Sequence, residues 1–541
     1  MMTREPLPYP WLYAYDKDTH HTLAPYPKKP VHALLTRTAE AYPDCVALIE
    51  AESGTQTTFA EWEEQSDRLA GALAQCGVQP GEPVGLYAFN SRAFAIAFFG
   101  ILKAGGIVSA INPLYAPREI AEQLSDAGAR LVIAQGALYG TLRAAQPGTP
   151  VEQIIVVGDP TEPLAESDFD WATLLARTPP EARPALALSA DDVAILQYTG
   201  GTTGLPKGAL GTHGNLVANT LQFDAWIHDA AEHEIILGVL PLFHVYGMVL
   251  TLIRAAYQGA TLVLTGRRPA EMLEAISQYR PTFFPGVPMI YRLLLDHPGV
   301  EARAAELGSI RTCISGAAPL PPEVQQRFEA LTGGRLREGY GLSEAPTATH
   351  CNPLSENRLG SIGLPLPDIE AAIVDLETGE RLLPPDTLGE LVVRGPTVMR
   401  GYHHQPEATA QALRGGWLYT GDIARMDAQG YFYIVDRKAD LINCAGFKVY
   451  PSEVERVLRE HPAVADVAVA GVPDPYRGEA IKAWVVVKSG MTLNAEELRL
   501  WARDQLARYK VPHEIAFVEA LPRSAVQKVL RRVLRAGESV D

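Results

Sequence analysis

Cysteine is scarce and unpaired in pattern: five in 541 residues, an odd number, with no two spaced as CxxC. That excludes a disulfide framework and a cysteine-held metal knuckle, and it fits a reducing cytoplasm. Positive charge is in deficit too, with 47 Lys and Arg against 63 Asp and Glu and a net charge of −16. Nucleic-acid binding through the general surface is therefore excluded. The opening stretch "MMTREPLPYPWLYAYDKDTHH" has no apolar signal core, so the expected location is cytoplasmic, with peripheral contact at the inner face of the cell membrane left open. Internal repeats and low-complexity tracts are missing as well. One stretch, residues 235–253 ("IILGVLPLFHVYGMVLTLI"), is uncharged and close to the roughly 20 residues that span a bilayer. Gly238, Pro241, His244 and Gly247 interrupt it, so the expectation is a buried strand, a turn at Pro241 and a buried helix from about Tyr246.

What is present is ordinary globular composition in a chain too long for one hydrophobic core, so two or more domains are expected. From Val84 the pattern alternates: "VGLYAFN" reads as a strand, Ser91 caps the helix "RAFAIAFFGILKA", and Gly105 and Gly106 end it before the strand "IVSAIN". "PREIAEQLSDAG", "ARLVIA" and "VEQIIVVGD" continue the alternation, which implies a parallel sheet covered by helices. A boundary is expected near 436–440. Beyond it "PSEVERVLRE" reads as a helix with Ser452 and Glu455 as a capping box, and three short strands plus a helix from about Asn494 complete a small α+β module. Residues 440–541 are close to neutral, so the negative excess lies before them.

Four segments carry chemistry. Residues 198–208, "YTGGTTGLPKG", are rich in glycine and hydroxyls and end on Lys207, a composition that lets backbone N–H groups and a point charge surround phosphate. The common NTPase loop needs Gly before its Lys and Ser or Thr after it, whereas Pro206 and Gly208 flank Lys207. "REGYGLSEAP" (337–346) fails as GxGxxG because Glu344 stands at the third glycine, so a dinucleotide fold gains no support. "YTGDIARMDAQGYFYIVDRK" (419–438) places Asp422 and Arg437 at the two ends of a β-hairpin, and "LPRSAVQKVLRRVLR" sets Lys528 ahead of a basic helix. Each of these alone has a plain reading, a turn former or a solvated cation.

Together and in this order the segments resemble the adenylate-forming superfamily of acyl-CoA synthetases, peptide-synthetase adenylation domains and luciferases. The resemblance runs from about Val31 to the C-terminus. "FGILKAGGIVSAINPLYAPREI", "IGLPLP" and "VDRKADLINCAGFKVYPSEVE" look most like bacterial long-chain fatty acyl-CoA synthetases. The resemblance implies a large multi-subdomain N-terminal α/β domain (1–436), a hinge (437–441) and a small mobile α+β C-terminal domain (442–541). It also implies ATP, Mg²⁺ and coenzyme A, and a fatty acid joined to CoA through acyl-AMP.

By the same resemblance Thr199, Gly200, Gly201, Thr202, Thr203, Gly204 and Lys207 hold the β- and γ-phosphates that leave as pyrophosphate. Thr199 and Glu344 serve Mg²⁺, and Ser343 keeps a hydroxyl where the family usually has Thr. Gly316, Ala317 and Ala318 ("SGAAP") with Glu338, Gly339, Tyr340 and Gly341 receive adenine. Asp422 accepts from the ribose hydroxyls, and Arg437 assists at ribose or phosphate. Lys528 bridges the attacking carboxylate and the α-phosphate, and His244 closes the carboxylate pocket, with a satisfied core histidine as its equal alternative. After adenylation the C-terminal domain turns to present Gly446, Phe447 and Lys448 to CoA, although Lys448 has an equal alternative in pairing with Glu453. Two departures stand out: Gln527 replaces the usual Gly before the catalytic lysine, and Ala439 replaces Asp or Lys at the hinge. Residues 246–253 and 282–291 are expected to line the acyl pocket, with Gly247 and Gly286 leaving space.

Alternatives are a CoA ligase for an aromatic or short acid, a luciferase-like oxygenase, or a non-catalytic acyl-adenylate or nucleotide binder. An amino-acid-activating domain would need an acidic residue where His244 stands, and no carrier domain follows Asp541. The expected partners are small molecules and no nucleic acid, with a homodimer left open.

Overall fold

The computed structural model describes residues 9–199, 206–228, 233–444, 447–475, 477–524 and 529–536. Within them the chain forms two units, a larger one of residues 9–370 with 393–418 and a smaller one of 371–392 with 419–536. Both are mixed α/β.

The larger unit is built on two sheets. In the first, strands Phe169–Asp170, Gln153–Val157, Leu131–Gln135, Pro83–Tyr87, Ile107–Ala110 and Val193–Thr199 lie side by side and parallel. Lys207–Thr212 adds an antiparallel edge. The helices follow from local chemistry. Ser91 Oγ accepts from the Phe94 N–H at 3.2 Å to open Arg92–Lys103, and Gly105 at φ +79° supplies the left-handed exit. That helix buries Phe94, Phe98 and Phe99 completely, each contributing about 1.5–3 kcal/mol on the transfer scale. Its last residue, Lys103, is also fully buried and lies 2.8 Å from Glu63 and 2.9 Å from Asp67, so the charge is paired rather than stranded.

The second sheet runs parallel from Arg335–Leu342 through Thr312–Ser315, Phe283–Gly286, Ile235–Gly238 and Thr261–Leu264 to Val46–Glu50, with antiparallel strands at both ends. The uncharged run behaves as its breakers predict. Ile235–Gly238 is a central strand, and Val245–Gly247 opens a buried helix that is π-helical over Met248–Ile253. Among the described residues no helix is long and apolar enough to cross a membrane.

In the smaller unit, residues 422–426 pair with Phe432–Arg437 to form the expected hairpin. A further sheet of Phe447–Val449, Ile442–Cys444, Gly478–Val487 and Val464–Asp474, with Glu514–Phe517 at its side, packs on helices Pro451–Arg459 and Ala495–Gln505. Asn494 caps the latter helix as expected, accepting from the Glu497 N–H at 2.9 Å. The capping box at Ser452 and Glu455 is corrected. Pro451, whose fixed φ suits the first helical position, starts the helix two residues earlier, with Tyr450 rather than Ser452 at the cap. The Ser452 hydroxyl donates to the Val435 carbonyl at 2.6 Å, and Glu455 accepts from the Val469 N–H at 2.8 Å.

Candidate active site

The described ends of segment 198–208 are arms of two paired antiparallel strands, not a strand followed by a helix. Thr199 ends one arm, Lys207 begins the other, and the two are cross-strand partners. Gly200, Gly201, Thr202, Thr203 and Gly204 lie outside the described residues. A hairpin explains why neither the Gly before the lysine nor the Ser or Thr after it is needed. No helix N-terminus follows the lysine directly, so the flanking residues answer to strand pairing instead. Behind the tip, the Tyr198 hydroxyl donates to Asp126 Oδ2 at 2.6 Å.

The outer arm of this hairpin gains a further neighbour. Arg400 N–H donates to the Leu210 carbonyl and Leu210 N–H to the Gly401 carbonyl, both at 2.9 Å, and His403 N–H reaches the Gly208 carbonyl at 2.8 Å. Tyr402, opposite Ala209, therefore rides on this hairpin. Its ring centroid is 5.2 Å from the Lys207 ammonium, and its hydroxyl donates to Glu344 Oε1 at 2.8 Å. Burial and the neighbouring carboxylate push the Tyr402 hydroxyl far above the usual phenol range.

Glu344 and Ser343 form the turn between Arg335–Leu342 and Ala345–Cys351. The hairpin is tight there. A Cβ at Gly341 would lie 1.8 Å from the Thr347 carbonyl oxygen, so only glycine fits. Glu344 is a half-buried hard oxygen donor held by a phenol. That donor chemistry fits Mg²⁺, which is commonly bound through one or two carboxylates together with substrate phosphates. On the same strand Tyr340 packs edge-on against His350, and Gly339 pairs with Cys351. Glu338 is buried, and desolvation raises its carboxyl to about 8 against the opposing Leu320 N–H. Just after the neighbouring strand Thr312–Ser315, Gly316 lies under Tyr246, whose ring would meet a Cβ there at 3.2 Å, and Ala317 adopts φ +68° beside half-buried Ala318. The predicted adenine segments are thus neighbours, one on the strand Arg335–Leu342 and the other directly after its paired strand Thr312–Ser315.

His244 sits at the start of Val245–Gly247, its Nδ1 accepting from the Tyr246 N–H at 3.2 Å. In the neutral ring the proton is then on Nε2, a donor suited to a carboxylate. Segments 246–253 and 282–291 do meet: the Tyr246 hydroxyl reaches the Gly286 and Ile314 carbonyls, and the Tyr291 hydroxyl reaches Ile314 as well. The expectation that Gly247 and Gly286 open space is overturned. A Cβ on Gly247 would lie 2.3 Å from the Pro241 carbonyl, and one on Gly286 would lie 2.9 Å from the Tyr291 ring. Both glycines serve close packing.

In the smaller unit Asp422 and Arg437 are cross-strand partners, Arg437 Nε lying 2.6 Å from Asp422 Oδ1. Asp422 is 1% exposed, a carboxylate held rigidly by its strand. Phe447 and Lys448 are exposed, and Phe447 stacks on Tyr509. The alternative pairing of Lys448 with Glu453 is corrected, because Lys510 takes both oxygens of Glu453, at 2.6 and 2.7 Å. Gly446, Gln527 and Lys528 lie outside the described residues. Sequence reasoning missed Tyr402, which lies 58 positions from the carboxylate it holds and belongs to no local pattern.

Comparison with known proteins places this geometry. A long-chain-fatty-acid–CoA ligase of Bacillus subtilis (strain 168) is 42% identical over 555 residues, covering 98% of each chain. A ligase of the same name from Escherichia coli O6:H1 is 36% identical, covering 97% of each. Among solved structures, ATP-bound MatB from Rhodopseudomonas palustris superposes with a TM-score of 0.84 at 29% identity, over 94% of this chain and 99% of that one. The AMP-binding enzyme family matches residues 35–403 and the AMP-binding enzyme C-terminal domain matches residues 453–528, so the chain belongs to the AMP-binding enzyme family.

Proposed function

We infer that the protein is an ATP-dependent ligase that activates a medium- or long-chain fatty acid as acyl-AMP and transfers the acyl group to coenzyme A. The observation that carries this reading is the contact chain Lys207–Tyr402–Glu344, which brings a phosphate-binding cation and a hard carboxylate to the tips of two hairpins. Its relatives of similar length are named for that reaction.

In the first half-reaction a fatty carboxylate oxygen attacks the α-phosphorus of ATP, and pyrophosphate leaves. Anion meets polyanion, so fixed positive charge must face the developing charge. Lys207, with Thr199 and the hydroxyls of Thr202 and Thr203, holds the leaving pyrophosphate. Glu344 and Thr199 would hold Mg²⁺, which supplies charge neutralisation between the phosphates. Tyr340 with Gly316, Ala317 and Ala318 receives adenine, Asp422 takes the ribose hydroxyls with Arg437 beside it, His244 orients the carboxylate, and Lys528 bridges it to the α-phosphate. In the second half-reaction the CoA sulfur attacks the acyl carbon, AMP leaves, and the thiol proton passes to solvent. Gly446, Phe447 and Lys448 serve CoA, and rotation about 437–441 exchanges the two sets of groups.

Pyrophosphate release should require fatty acid, ATP and Mg²⁺ together, with thioester appearing once CoA is added. An acid panel from acetate to oleate, with a cinnamate-like acid included, tests the substrate class. Vesicle co-sedimentation and solution mass test membrane contact and pairing of two copies.

A further inference from the structure

We propose that Tyr402 is a positioning residue that couples the phosphate hairpin to the metal-binding carboxylate. The inference rests on the adenylation reading and deepens it. Three observations meet in this one side chain. Its backbone belongs to the phosphate hairpin through the bonds of 400, 401 and 403 to Gly208 and Leu210, and its own N–H is fixed by Thr409 Oγ1 at 2.8 Å. Its ring supports the Lys207 ammonium at 5.2 Å. Its hydroxyl donates to Glu344 Oε1 at 2.8 Å, across to the tip of the other hairpin.

The same short segment holds Glu344 twice, because Met399 N–H also donates to the Glu344 carbonyl at 2.8 Å. With the carboxylate gripped at the backbone and at Oε1, the direction of its other oxygen is set. A carboxylate on a hairpin tip otherwise has several rotamers, and ordering it on ion binding would cost affinity. Outer partners of this kind fix a ligand's orientation, and their loss typically weakens metal affinity by about 10–100-fold. A tyrosine meets both needs at once: a ring face for the ammonium and a donor for the carboxylate, on one rigid body.

The test is calorimetric binding of ATP to the full chain, with Mg²⁺ and in EDTA. Tyr402→Phe keeps the ring and removes the donor. It should lower ATP affinity about 10-fold with Mg²⁺, as loss of a ligand's outer partner does, and change it less than about twofold in EDTA. Glu344→Gln should lose the Mg²⁺ advantage, and the double variant should lose no more than Glu344→Gln alone. Equal losses in both conditions, no loss in either, or additive losses in the double variant would overturn the proposal and leave the ligase reading standing. A wild-type chain whose ATP affinity ignores Mg²⁺ would overturn the Glu344 assignment and this inference with it.

Discussion

Replacing Glu338 by Gln should stabilise the larger unit at neutral and alkaline pH, with the gain shrinking to less than about 1 kcal/mol at pH 5. Glu338 is buried on the central strand that leads into Gly339 and Tyr340, and its carboxyl is raised to about 8 by desolvation. The unfolded chain ionises the same group near 4.5, so folding must retain a proton that the unfolded state gives up. The sign follows: the folded state is favoured below about 4.5, and its advantage is lost as pH rises towards 8. Each pH unit in that window costs about 1.4 kcal/mol, so from 4.5 to 7 the wild type should lose about 3 kcal/mol relative to an uncharged isostere. The amide keeps an oxygen for the Leu320 N–H and carries no charge to desolvate. Urea unfolding of wild type and Glu338→Gln from pH 5 to 8.5, followed by tryptophan emission, gives the difference directly. A pH-independent difference would mean that Glu338 ionises freely and that burial does not govern it.

Lys528→Ala should slow acyl-AMP formation by about 10²–10³-fold, the usual effect of removing one group aimed at developing charge, yet spare thioester formation from pre-made acyl-AMP. Equal losses in both half-reactions would remove Lys528 from the adenylation step. Burial lowers His32 and His350 to about 3 and His213 to about 4, so the unfolded chain takes up their protons first. Stability held above about pH 6.5 should fall by about 1.4 kcal/mol per pH unit for each histidine as pH drops towards 4, best measured as the urea midpoint in the Glu338→Gln background; a flat profile would show that these rings remain protonatable in the fold. Gly341→Ala should destabilise the larger unit by about 3 kcal/mol and abolish ATP binding, because its Cβ would strike the Thr347 carbonyl. A variant that melts and binds as wild type would refute that close approach.

Much of the architecture was legible because local chemistry and long-range order agree. Ser91, Gly105 and Asn494 do in the structure what their types suggest, and alternating strands and helices gave the parallel sheet. The placing of Asp422 and Arg437 at the two ends of a hairpin was readable because both lie on one local strand-turn-strand segment. The misreadings share a different cause. Gly247 and Gly286 were taken to make room, but glycine serves an open pocket and a close backbone contact equally, and only the packed neighbour distinguishes them. Ser452 and Glu455 have capping-box spacing, yet Pro451 moves the helix start by two residues, and Asp436 Oδ2 accepts the Ser452 N–H at 2.9 Å. Tyr402 was invisible because its partners, Lys207 and Glu344, come from separate hairpins that only the folded chain brings together.

The most direct test of the ligase reading is fatty-acid-dependent exchange of labelled pyrophosphate into ATP in the absence of CoA, followed by addition of CoA. Exchange should need Mg²⁺ and rise with chain length, since each buried methylene contributes about 0.8 kcal/mol before ordering costs, until the pocket is filled. CoA should then release AMP and acyl-CoA in equal amounts. Exchange that responds to a cinnamate-like acid or acetate but not to laurate or palmitate would contradict the fatty-acid substrate, and exchange with no acid at all would contradict the ligase itself.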